Sequence, residues 1–130
     1  LEANDCPRYF ADPGCSQPDS YLQLFFDRFW SEAYSEWQAI TSQSDPAAVK
    51  SGLETFYQTH REDFVTSYAA TAPREDIAES WMYFVLSPKP EGNNLADQKI
   101  LFFYDFPELI QLRSEIIGRV CGYFNLPPGP

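Results

Sequence analysis

Glu75 and Glu79 are the residues of this sequence whose type and spacing bear most directly on chemistry. They lie four apart in Pro73-Arg-Glu-Asp-Ile-Ala-Glu79, so a helix there projects both carboxylates from one face. Like charges so placed repel by roughly a few tenths of a kcal/mol unless something cationic lies opposite. A metal ion would serve, as would the protonated ring nitrogen of a metal-bound histidine. Tyr68 stands seven residues before Glu75, closing Thr66-Ser67-Tyr68. Taken singly, each residue has a plain reading. Glu75 is an acid in a helix's first turn, Glu79 a solvated residue, and Tyr68 a core tyrosine with its hydroxyl at the surface. Their joint spacing is what points to chemistry.

The elements that must position them follow from periodicity. Pro73 opens a helix through about Leu86, with Glu75 and Asp76 in its first turn, where the dipole favours acids. Ile77, Ala78, Trp81 and Val85 are expected to anchor that helix to the core. Residues 63–72 are short, mixed and uncapped, and read as an extended or looping segment. Upstream, Asp19 or Ser20 caps one long helix to about Ile40, its apolar residues following the 3, 4, 7, 8 spacing of a single face. Asp45 before Pro46 starts another, to about His60, burying Val49, Leu53, Phe56 and Tyr57. Downstream come a surface loop over 87–94 and a short helix near 95–104. A last helix runs from Pro107 to near Gly122, burying Leu109, Leu112, Ile116 and Val120. The predicted architecture is all-α, four to five helices in a small irregular bundle. It forms one domain over 1–130: a cysteine-containing loop (1–18), a helical part (19–124) and a tail (125–130).

Composition excludes several function classes. Nineteen acidic residues against nine basic ones give a net charge of −10, a poor basis for binding nucleic acid. Aromatics at 17% are too many for a disordered acidic tail. No apolar run approaches the roughly 20 residues of a transmembrane helix. Gly-rich phosphate loops, a Gly-x-Ser-x-Gly elbow, an EF-hand and His-Glu-x-x-His are all missing from the sequence. His60 is the single histidine, so no two-histidine mechanism is complete within these residues. It sits in Gln58-Thr-His-Arg-Glu62, a polar helix end where a cation suits the dipole.

Cys6-Pro-Arg-Tyr-Phe-Ala-Asp-Pro-Gly-Cys15 reads first as a short disulfide-closed loop, which implies an exported protein, periplasmic, extracellular or surface-attached. Three reduced thiols, Cys121 included, are the plain alternative. A Cys3His zinc site with His60 is a third, although no C-x2-C knuckle supports it. The start without Met reads as a removed leader or as a cut within something longer. Asn125-Leu-Pro-Pro-Gly-Pro130 reads as a natural end.

On Tyr68, Glu75 and Glu79, with Thr66-Ser67 before and Ala78 preceding Glu79, the sequence resembles the gluzincin zinc metallopeptidases, those of the anthrax lethal factor type and exported bacterial ones in particular. The resemblance covers about 14 residues. It implies that Glu75 is a zinc ligand, that Glu79 accepts the N–H of a zinc-bound histidine and orients it, and that Tyr68 stabilises the oxyanion of peptide hydrolysis. Zinc and a peptide or protein substrate would belong to the intact parent protein.

The departure is large. In that family a His-Glu-x-x-His helix precedes the tyrosine, and residues 1–62 contain no substitute. The expectation is a C-terminal part of an exported zinc metallopeptidase, a subdomain of a zincin-like fold that is inactive and zinc-free when isolated. The reading from a different class is a complete acidic helical binding module, or a pseudo-enzyme, with exposed aromatics such as Tyr9, Phe10, Tyr21 and Tyr123 as a partner surface. Glutamates turned into the core on a basic partner would favour the module; glutamates presented to an open, unpaired surface would favour the missing half.

Overall fold

The computed structural model describes residues 5–12 and 14–123. Among them there are six α-helices and no strands: α1 Tyr21–Phe29, α2 Tyr34–Thr41, α3 Pro46–Thr59, α4 Pro73–Leu86, α5 Leu95–Phe102 and α6 Pro107–Tyr123. The all-α class is as expected, with six helices in place of four to five. Single 3-10 turns at Arg61–Asp63, Ala69–Thr71 and Phe103–Asp105 join them. The predicted tail, 125–130, lies outside the described residues.

Local chemistry explains the helix starts. The Ser20 hydroxyl accepts from the Gln23 amide, the Asp45 carboxylate from Ala47, and the Asn94 side chain from Asp97, each at an N-cap. Pro46 and Pro73 occupy first-turn positions where no amide hydrogen is needed.

The long first helix is broken in two. Trp30 leaves helical geometry at φ −117°, and α2 begins only at Tyr34. A straight helix over 20–40 would be about 30 Å long and would carry its second half past the core. The turn at Trp30 instead buries the indole against Phe56 and Phe64 and stacks Tyr34 on Trp37. α2 then packs on α3 so closely that a Cβ on Gly52 would lie 2.6 Å from Ile40 Cγ2.

The buried side chains form one aromatic-rich cluster of Phe25, Trp30, Phe56, Phe64, Phe84, Phe102 and Phe103 with smaller partners. Three expected faces are corrected. α4 buries Pro73, Asp76, Ser80, Phe84 and Val85, while Ile77 and Trp81 are half-buried and Ala78 is exposed. The helix is rotated so that a carboxylate enters the core, which Trp30 and Lys99 make possible. α6 buries Leu109 alone among its predicted residues, leaving Ile116 half-buried and Leu112 and Val120 exposed, because only its first turns meet the rest of the molecule. α3 likewise buries Phe56 but only half-buries Val49, Leu53 and Tyr57.

Cys6 and Cys15 form a disulfide, and Cys121 is a half-buried free thiol. The bridge closes a loop that lays Tyr9 flat on Phe26 and edge-on to Tyr34. Tyr9 is therefore buried, and Phe10 half-buried, in place of the exposed aromatics expected there. Tyr21 and Tyr123 are exposed. No helix among the described residues is long and apolar enough to cross a membrane.

Candidate functional site

Tyr68, Glu75 and Glu79 converge where the 63–72 segment meets α4. Ala69 and Ala70 are fully buried against this helix, which pins the chain just after Tyr68 and directs the phenol outwards. Tyr68 is 55% exposed, with the Glu75 carboxylate as its foremost electrostatic neighbour. Hydrogen bonding to Glu75 and that residue's charge, then burial and the charge of Glu79, raise the phenol above its ordinary pKa. Glu75 is half-buried, with Arg74 Nε 3.8 Å from its Oε1.

Glu79 is held from the same segment. Thr66 Oγ1 donates to Glu79 Oε1 at 2.9 Å and accepts the Ala69 amide at 3.0 Å. One threonine thus fixes both the turn that carries Tyr68 and the second carboxylate. Neither glutamate enters the core. Beyond them α4 carries Ala78, Met82 and Leu86 exposed, on the side of the helix from which the glutamates project. On the other flank of Tyr68 lies a groove of about 510 Å³ between α3 and the segment, walled by Lys50, Leu53, Tyr57 and Thr71.

Among the described residues no three His, Cys, Asp or Glu side chains come together closely enough to hold a metal ion. Glu75 fits the part of a single metal ligand only in that its carboxylate is partly exposed; the Arg74 guanidinium 3.8 Å away is the cation it faces now. Histidine ligands would have to arrive from another segment. His60 takes no part. It caps the end of α3, with Nε2 3.0 Å from Glu36 and Nδ1 3.4 Å from Asp63.

The structure adds a polar cluster that the spacing of residues did not reveal. Lys99 of α5 is 1% exposed, and its Nζ lies 2.7 Å from Asp76 Oδ2. Trp30 Nε1 donates to that same oxygen at 2.9 Å, and Lys99 Nζ also donates to the Asp63 carbonyl at 2.6 Å. The Phe64 ring lies 3.9 Å from the ammonium. Burial pushes the Asp76 carboxyl up to about 6 against the opposing pull of Lys99, and it pushes the Lys99 ammonium down. Asp76 Oδ1 and the Ser80 hydroxyl, one turn on, are sealed from solvent without a hydrogen bond of normal geometry. The one hint in the sequence is Lys99 standing directly before the apolar run Ile100–Tyr104.

No match is found. No model of a known protein family, no curated protein and no solved structure matches this chain. The functional reading therefore stands on the Tyr68–Glu75–Glu79 geometry and the resemblance of that motif.

Proposed function

We propose that this chain is the later part of a gluzincin-type zinc metallopeptidase acting on peptide or protein substrates. The observation that carries the reading is that Tyr68, Glu75 and Glu79 converge where the 63–72 segment meets α4, the phenol feeling the Glu75 carboxylate and Glu79 lying one turn further on. In this reading Glu75 is the carboxylate ligand of the zinc. When bound, zinc supplies the Lewis acidity that activates water and polarises the scissile carbonyl. Tyr68 offers its phenol O–H to the developing oxyanion. Glu79, anchored by Thr66, accepts the second N–H of a histidine ligand and sets its orientation. The exposed Ala78, Met82 and Leu86 offer that histidine-bearing segment an apolar seat beside the two carboxylates. The Cys6–Cys15 disulfide fits an oxidising compartment and supports export.

The test is zinc content and peptide cleavage by the complete gene product and its Glu75→Gln variant. The expected result is one zinc per molecule and metal-dependent cleavage, both lost in Glu75→Gln, while residues 1–130 alone hold no stoichiometric zinc. A gene product encoding no His-Glu-x-x-His, or a Glu75→Gln variant that keeps zinc and activity, overturns it.

A further inference from the structure

We infer that the buried Asp76–Lys99 pair positions Tyr68 against Glu75, an inference that rests on the metallopeptidase reading for its functional consequence. Lys99 spends its ammonium on three partners from two elements. Asp76, the residue after Glu75, binds it from α4; the Asp63 carbonyl and the Phe64 ring bind it from the start of the Tyr68 segment. One side chain from α5 therefore ties the first turn of α4 to the stretch of chain that delivers Tyr68. The other end of that segment is fixed by Ala69 and Ala70, buried against α4, and its middle by Thr66 on Glu79. Between the two ends Tyr68 has little freedom except rotation of its own side chain.

The chemistry argues for positioning over plain stability. A buried ion pair is commonly no more stabilising than apolar residues of the same volume, so stability alone does not call for one here. An ammonium does what an apolar side chain cannot: it holds a carboxylate and a main-chain carbonyl at fixed distance and direction. Trp30 completes the frame by donating to the same Asp76 oxygen, which leaves the carboxylate one orientation. The pair is sealed from solvent, so Asp76 and Lys99 are positioning residues.

The experiment is amide hydrogen exchange on the 130-residue chain carrying Asp76→Asn with Lys99→Met. The asparagine side chain keeps an acceptor for Trp30, and the tie to Asp63 is cut. The expected result is exchange at the Ala69 and Thr71 amides about tenfold faster, with the amides of α3 and α6 unchanged. Phe64→Leu, which removes the ring beneath the ammonium together with its packing on Trp30 and Phe56, is read at the same two amides should the double variant not fold. Unchanged protection at Ala69 and Thr71, or a uniform rise in every element, overturns the inference. In the complete gene product the double variant is expected to lower kcat about tenfold or more at unchanged KM. The exchange measurement involves no zinc, so the tie can fail while the peptidase reading stands. Loss of the peptidase reading leaves the exchange result intact.

Discussion

Lys99 Nζ sits 2.7 Å from Asp76 Oδ2 at a point where the two residues are 1% and 0% exposed. Opposite charges are sealed together beside Trp30 and Phe64, and each makes the other tolerable. Removing one partner leaves an uncompensated buried charge. Lys99→Met or Asp76→Leu alone is expected to cost about 3–5 kcal/mol. Asp76→Leu with Lys99→Met together should cost far less than the sum. Urea unfolding of the four proteins in a double-mutant cycle measures this; additive single costs would contradict it.

The same pair sets a pH dependence whose sign is determined. The folded Asp76 carboxyl is raised from 3.8 to about 6. A raised carboxyl contributes stability that is fully present below the unfolded value and is lost as pH rises through the folded one. Between pH 7 and pH 4 the natural protein should therefore gain stability, on the order of 2 kcal/mol, relative to the variant lacking both groups. Unfolding midpoints of the two proteins across that window check the difference. A relative loss on acidification would show that Lys99 holds Asp76 ionised.

Lys99→Met should show the effect in stronger form. Without the ammonium, nothing opposes the desolvation of Asp76 as strongly, so its folded pKa moves further up. The destabilisation by Lys99→Met is expected to be larger at pH 8 than at pH 5, where the carboxyl is neutral. Equal costs at the two pH values would contradict this.

At the surface, Tyr68 reports on Glu75. Its phenol is raised first by hydrogen bonding to Glu75, then by that residue's charge, then by burial, with the charge of Glu79 ranking after these. Glu75→Gln should bring the Tyr68 titration back towards 10, and Glu79→Gln should move it less. The chemical shift of the Tyr68 ring carbon bearing the oxygen, followed against pH, distinguishes the two variants. A Tyr68 titration unmoved by Glu75→Gln would mean that the phenol and carboxylate do not meet in solution.

The Cys6–Cys15 bridge spans nine positions of sequence and carries the loop in which Tyr9 packs on Phe26. Closing a loop of that length is worth about 2.5 kcal/mol in the chain-entropy model. Replacing both cysteines by serine should cost that much in chemical denaturation and loosen the Tyr9–Phe26 stack, seen as lost ring-current shifts. Reductant should have the same effect on the natural protein and none on the variant.

What the sequence by itself determined is local. Ser20, Asp45 and Pro73 fix helix starts through hydrogen bonds and torsions within a few residues, and α4 begins and ends where its composition says. Two cysteines nine apart closed their own loop. Tyr68, Glu75 and Glu79 lie within twelve residues, so a turn and a helix suffice to bring them together. Tertiary structure decided the rest. The apolar period over 20–40 is continuous, yet the chain turns at Trp30, because burying that indole and bonding it to a residue 46 positions away outweighs four residues of helix. The rotation of α4 that draws Asp76 inward depends on Lys99 in another helix, and the exposed length of α6 depends on where the other helices end. A buried charge has no local signature. Its solvation is replaced by groups distant in sequence, and only the assembled fold shows which ones they are.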